Sequence, residues 1–212
     1  METPLQRPLT EVKLLIDHDH HIWSEEAIFN VVYHNNIFEN DTASCLSGEP
    51  LFRVQGRWSW SRRRQVLDGV KDHWLFDFRQ HTLGIKKGWV VEGPDGKQLC
   101  SLRHDIHGRP NSSGAHSCVE ADVWTQDGDY AQFQMCSFGS ELQVTNKSVA
   151  EHDRVFATIH KVDVIDTPGT RGDPERSIWQ ARVAAGVDLS LIMVLVLCRA
   201  EIGDDWQYSR FP

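Results

Sequence analysis

Apolar positions along this chain recur in short runs, and several alternate with polar ones. Tyr130-Ala131-Gln132-Phe133-Gln134-Met135 shows the alternation plainly. A two-residue period places one set of side chains on one face of a strand. Strands are predicted over Val12–Ile16, Ile28–Tyr33, Leu51–Val54, Arg64–Leu67, Trp74–Arg79, Thr82–Lys86 and Trp89–Glu92. Further on they are predicted over Gln98–Arg103, Cys118–Trp124, Tyr130–Cys136, Glu141–Thr145, Arg154–Lys161 and Ile178–Val183. That makes about a dozen short strands, the pattern of an all-β domain. Turn chemistry separates them. Pro94-Asp95-Gly96 joins one pair, with proline presetting φ and glycine accepting a positive φ. Asp127-Gly128 joins another as a hairpin signal. His104–Ser117 and Thr167–Pro174 are polar stretches predicted as surface loops.

One segment breaks the pattern. Leu189-Ser190-Leu191-Ile192-Met193-Val194-Leu195-Val196-Leu197-Cys198 is apolar at every position but Ser190. Extended to Ile202 it is longer than most strands, which predicts a helix capped by Asp188 and ended by Gly203. Successive helical residues turn by about 100°, so its apolar side chains cover every face and must be enclosed. It is too short to span a bilayer, which takes roughly 20 apolar residues. The strands are the available wall. Eight strands fill a barrel with their own side chains and sixteen leave a channel, so about twelve leave room for a helix roughly 10–12 Å across. The predicted fold is therefore all-β with one central helix, a closed barrel of about twelve strands around a hydrophobic C-terminal helix. Residues 1–10 are expected as a loose leader, 11–203 as a single barrel domain and 204–212 as a short tail.

Composition narrows the function classes. The chain has 212 residues, enough for one large all-β domain that buries its core without staples. A formal net charge of -8 argues against a nucleic-acid partner, which needs a basic face. The cysteines Cys45, Cys100, Cys118, Cys136 and Cys198 contain no C-x-x-C pair. An odd, scattered set suggests buried reduced thiols and a reducing compartment. The N-terminus has no apolar signal core, so the Asn-x-Ser/Thr patterns at Asn40, Asn111 and Asn146 and the Arg171-Gly172-Asp173 tripeptide read as coincidences of polar loops. A cytoplasmic location is expected, with peripheral membrane association and a nuclear location left open.

Four stretches carry a resemblance. They are Leu51-Phe52-Arg53-Val54, Val66-Leu67-Asp68-Gly69, Gly88-Trp89-Val90-Val91-Glu92-Gly93, and Gly186-Val187-Asp188-Leu189 leading into the apolar run. In this order, over most of residues 12–202, the chain resembles the LURP-one-related family of the tubby C-terminal-like superfamily. The resemblance implies a twelve-stranded barrel around a hydrophobic helix. It also implies association with membrane phospholipids, phosphoinositides among tubby-like relatives, and it brings no catalytic residues. No tubby phosphoinositide motif matches residue by residue, and the many tryptophans and long loops depart from the plainest family members.

The residues themselves offer one basic-aromatic segment. Arg53, Arg57, Arg62, Arg63 and Arg64 occur with Trp58 and Trp60 between them and no acid from Leu51 to Leu67. Guanidinium groups pair bidentately with phosphate, and tryptophan rings favour the membrane interface. With Lys86 and Lys87 this segment is the candidate ligand site, taking an anionic phospholipid headgroup. The same segment also reads as a solvated hairpin whose arginines pair with acids and whose tryptophans cover the barrel. Asp17-His18-Asp19-His20-His21, with His104, Asp105 and His107, has the residue types of a metal site without a fixed spacing, and reads as exposed polar loop. No metal and no cofactor are expected. G-x-S-x-G, G-x-G-x-x-G and P-loop motifs are absent from the sequence. The expected function is a non-catalytic intracellular binding module for anionic phospholipid or phosphoinositide. A protein-interaction module without a lipid role is the alternative, and an enzyme with a site at the barrel mouth is the third reading.

Overall fold

The computed structural model describes residues 3–8, 21–34, 39–57, 62–81, 88–107, 116–124, 129–138, 140–147, 154–162 and 176–208, without the side chains of 106, 107, 116 and 203–208. Twelve strands are followed by one helix. They are β1 (Ala27–His34), β2 (Asp41–Cys45), β3 (Pro50–Gly56), β4 (Arg64–Asp68), β5 (Trp74–His81) and β6 (Gly88–Glu92). Then come β7 (Gln98–His107), β8 (His116–Trp124), β9 (Tyr130–Phe138), β10 (Glu141–Asn146), β11 (Val155–Val162), β12 (Arg176–Val183) and α1 (Leu189–Tyr208). Each strand pairs with its sequence neighbours, and β1 pairs with β12 to close the barrel. All pairings are antiparallel; Phe29 faces both Ala181 of β12 and Cys45 of β2. Closure leaves no unpaired sheet edge.

The predicted core helix is enclosed as expected. Leu189 through Cys198 are each no more than 1% exposed. Alternation supplies the wall: in β1, Ala27, Phe29, Val31 and Tyr33 point inward. Phe52, Phe76, Phe78, Phe133 and Phe156 join them around the helix. Burying an apolar side chain of this size contributes about 1.5–3 kcal/mol before conformational entropy is subtracted. Asp188 caps the helix start, its Oδ1 accepting from the Ser190 N–H at 2.8 Å. Gly186, at φ +81°, sets up the approach, and its N–H donates to the Trp23 carbonyl at 2.8 Å. The Gly93–Lys97 turn closes with Gly93 N–H donating to the Lys97 carbonyl at 2.9 Å and Gly96 at φ +78°.

Several expectations need correction. β2 was not among the predicted strands. Its inward residues are Asp41, Ala43 and Cys45, so small and polar side chains mask the alternation. His104–Ser117 is not all loop, because β7 runs on to His107 and β8 starts at His116. Gly203 does not end the helix, which continues to Tyr208. The cysteines are not all free thiols. Cys118 and Cys136 face each other across β8 and β9, Cα to Cα 4.3 Å, and form a disulfide, while Cys45, Cys100 and Cys198 are free and buried. Residues 3–8, within the expected leader, are held against β11 and β12. Gln6 N–H donates to the Val155 carbonyl at 2.9 Å and Arg182 Nη1 to the Thr3 carbonyl at 3.1 Å. The predicted strands Val12–Ile16 and Thr82–Lys86, the Asp127-Gly128 turn and the Thr167–Pro174 loop lie outside the described residues. Among the described residues, no helix is long and apolar enough to cross a membrane.

Candidate functional site

Antiparallel order gives the barrel two distinct ends. The β2–β3, β4–β5 and β6–β7 turns share one end with the helix start; this is the cap end. The β1–β2, β3–β4, β5–β6 and β7–β8 connections leave from the other, toward which α1 runs; this is the arginine end. Of the predicted basic segment, Arg57, Arg62, Arg63 and Arg64 are at the arginine end, and Arg53 sits midway along β3 opposite Leu67.

The structure splits the five arginines by role. Arg64 opens β4 and is 2% exposed. Its Nη1 donates to Asp41 Oδ2 at 2.6 Å, its Nε to Glu201 Oε1 at 3.2 Å, and its Nη2 to the Tyr33 hydroxyl at 3.2 Å and the His34 carbonyl at 3.0 Å. The guanidinium also lies 4.7 Å from the Tyr33 ring centroid. Glu201 accepts from Trp89 Nε1 at 2.6 Å, and Asp41 from the His34 N–H at 2.6 Å. One buried network therefore fastens β1, β2, β4 and β6 to α1. The expectation that Arg64 meets a ligand is corrected: a guanidinium sealed inside with its donors engaged cannot reach a headgroup.

Electrostatics bear the mark of that enclosure. Burial pushes the Asp41 carboxyl up to about 6, against the pull of Arg64. Burial likewise raises Glu201, again opposed by Arg64. Burial works against the Arg64 charge, yet Asp41, Tyr33 and Glu201 together hold its pKa above the ordinary value. Burial, with Glu201 next in weight, raises the Tyr33 hydroxyl.

Arg63 is half-exposed and paired with the buried carboxylate of Asp77. Arg53 pairs with Asp72 at the surface. Arg57 is exposed, bonds Gln65 Oε1 at 2.7 Å, and closes the hairpin with its N–H on the Arg63 carbonyl at 2.9 Å. Arg62 is exposed at φ +48°, a left-handed conformation that costs a non-glycine residue about 1–2 kcal/mol. Neither Arg57 nor Arg62 forms an ion pair among the described residues, although the Arg62 charge acts on the buried Glu201. Trp58, Trp60, Lys86 and Lys87 lie outside the described residues. His81 and Gly88, which flank the lysine-bearing connection, are at the same end as Arg57.

The histidine run also divides. His18 and His20 lie outside the described residues. His21 is not exposed loop but a buried ring, stacked on Phe52 at 4.6 Å between centroids, with Nε2 3.3 Å from Asp68 Oδ2. Asp68 Oδ1 accepts from the N–H groups of Val70 at 2.9 Å and Lys71 at 2.7 Å. Burial raises the Asp68 carboxyl, but those two N–H groups and His21 outweigh it and leave the pKa lowered. The turn is tight because a Cβ at Gly69 would sit 2.7 Å from the backbone of Pro50 and Leu51. Above it a cleft of about 330 Å³ is lined by His21, Trp23, Pro50, Leu51, Asp68 and Lys71. Sequence reasoning missed this site; the Val66-Leu67-Asp68-Gly69 stretch entered it only as part of the family resemblance. His104 is part of the barrel wall and bonds Ser117 Oγ through Nε2 at 2.8 Å. Among the described residues no group of three or more His, Cys, Asp or Glu side chains could hold a metal ion.

Comparison with known proteins gives one family. The model of LURP-one-related proteins matches residues 38–200, from just before β2 into the last turns of the enclosed part of α1. No curated protein matches the chain.

Proposed function

Since this chain belongs to the LURP-one-related family, we propose that it is a non-catalytic binding module that recognises anionic phospholipid through the β3–β4 hairpin. Arg62 is the observation that carries this reading. An arginine held at φ +48° at the surface is strained, and no ion pair among the described residues offsets that strain; only the charge of the buried Glu201 acts on it from inside. Such strain accumulates where an external group supplies the compensation. Arg57 flanks it on the other side of the connection, and the sequence sets Trp58 and Trp60 between them. Basic side chains near an anionic leaflet contribute about 1 kcal/mol each, and tryptophan adds interfacial affinity. Lys86 and Lys87 extend the basic set through the neighbouring β5–β6 connection. Arg63 and Arg53 contribute at most in part, because carboxylates already hold them. The reading also fits the filled barrel, which leaves its surface and ends for ligands.

Flotation with vesicles is the test. The protein should bind phosphatidylcholine vesicles carrying phosphatidylserine or phosphoinositide at low salt and release them at high salt. Arg57→Ala with Arg62→Ala should abolish binding without lowering thermal stability. Indifference of the wild-type protein to acidic vesicles at low salt sinks the proposal. A second reading, a protein-docking module, draws on the cap end, where Val70 lines the cleft and Leu46 and Trp74 are also exposed. Under that reading Val70→Asp with Trp74→Ala, and not the arginine pair, removes the partner.

A further inference from the structure

The turns at the cap end hold two charges that the fold does not use. Glu49 ends the β2–β3 turn and Lys71 lies in the β4–β5 turn. Neighbouring acids at this end are engaged: Asp72 with Arg53, Glu26 with Arg182 and Asp68 with His21. Glu49 and Lys71 form no ion pair and no side-chain hydrogen bond among the described residues, although the Glu49 charge acts on the Cys45 thiol. Both are exposed, and both line the cleft of about 330 Å³ above the His21–Asp68 pair. Two opposite charges thus share one cleft and stand beyond ion-pair reach of each other.

Backbone contacts fix the two turns that carry them. The Glu49 carbonyl accepts from the Cys45 N–H at 2.9 Å, and the Lys71 N–H donates to Asp68 Oδ1 at 2.7 Å. Gly69 ties the second turn to the start of β3, its N–H donating to the Leu51 carbonyl at 2.9 Å. A site framed this way is largely formed before a ligand arrives, which lowers the ordering cost of binding. Its chemistry follows from the lining. Trp23, Pro50, Leu51 and Val70 supply apolar surface. Asp68 is already spent, one oxygen on two N–H groups and the other beside His21. Charge recognition therefore falls to Glu49 and Lys71. A simple cation would leave Lys71 facing a like charge, and a simple anion would do the same at Glu49. A ligand with both charges and an apolar arm suits the whole lining. The volume is at the small end of the range for small-molecule sites, about 300–1,000 Å³.

We propose that the cap-end cleft binds a small apolar zwitterion, a free amino acid or a dipeptide, with its ammonium at Glu49, its carboxylate at Lys71 and its side chain against Trp23, Leu51 and Val70. The site needs neither the hairpin arginines nor a partner chain, so it stands or falls apart from both readings above.

The test titrates full-chain protein, labelled with ¹⁵N in tryptophan, with L-phenylalanine and separately with L-leucyl-L-leucine, each to millimolar concentration at constant ionic strength. The Trp23 indole resonance, assigned with Trp23→Phe, should shift saturably. Those of Trp89 and Trp179, which bond Glu201 and Ser177, should stay in place. Saturation by phenylalanine assigns a free amino acid, and saturation by leucyl-leucine alone assigns a dipeptide. For whichever binds, the N-acetyl form and the C-terminal amide should each bind about tenfold or more weakly, the value of one charge-assisted pair. Glu49→Gln should erase the difference between the parent ligand and its N-acetyl form, and Lys71→Met the difference between the parent and its amide. Both variants should unfold at the wild-type urea concentration, since the fold uses neither charge. No saturable shift with either ligand, equal binding of the blocked forms, unchanged discrimination in the two variants, or a loss of stability in either would each overturn the proposal.

Discussion

The two ends of the barrel solve the same problem, how to anchor a buried helix to the wall around it, with opposite chemistry. At the cap end a single carboxylate, Asp188, meets the first helical N–H groups, and the neighbouring His21–Asp68 pair is steadied by backbone donors. At the arginine end a full ionic network is drawn inside, with Arg64 between Asp41 and Glu201. The cap end can lose one bond and remain neutral. The arginine end cannot, because each member leaves the others charged and dry. An ion pair of this kind is a poor source of net stability but a strict one, since it accepts only one arrangement of β1, β2, β4 and α1.

The sharpest way to break the comparison is Arg64→Met. It strands two buried carboxylates and should cost about 3–5 kcal/mol, read by urea unfolding. A cost near zero would show that the network is not sealed. Asp188→Ala, the matching change at the cap end, should cost about 1 kcal/mol and leave the barrel folded. A smaller effect separates the ends by sign. Asp41 has a folded pKa raised from 3.8 to about 6, so the native state holds its proton longer than the unfolded chain and Asp41's contribution falls as pH rises through that window. Asp68 has a lowered folded pKa, so its contribution is present above the ordinary carboxylate range and is lost as pH falls through the folded value. Asp41→Asn should therefore remove a decline in stability between about pH 4 and 6, and Asp68→Asn should remove part of the acid-side loss; unfolding midpoints across pH report both. The mildest change is Arg62→Gly, which relieves the left-handed backbone and should raise stability by up to about 1 kcal/mol while weakening vesicle binding.

The architecture was legible where one local pattern sufficed. Leu189–Cys198 announced a core helix by being apolar on every face, Asp188 announced its start, and Pro94-Asp95-Gly96 announced its turn. Legibility failed where a side chain's fate depends on distant partners. Nothing local distinguishes Arg64 from Arg62 or Arg63, because its burial is decided by Asp41 and Glu201, 23 and 137 residues away. β2 escaped because Asp41 occupies an inward position that a hydrophobic pattern reserves for an apolar residue. The Cys118–Cys136 pair required the β8–β9 register, in which the two residues stand opposite each other. Gly203 resembled a stop, yet α1 passes through it. Of the candidate ligand residues, Arg57 and Arg62 keep the exposure the sequence reading needs.

The order of elements along the chain has a consequence for biosynthesis. Every strand faces inward onto a plug that the ribosome makes after all twelve of them. Until Cys198 has emerged from the exit tunnel, the nascent sheet has no centre to close around, and its greasy inner lining is open to other chains. The barrel as a whole can therefore close only once α1 has been made, and holdase chaperones are the natural custodians of that interval.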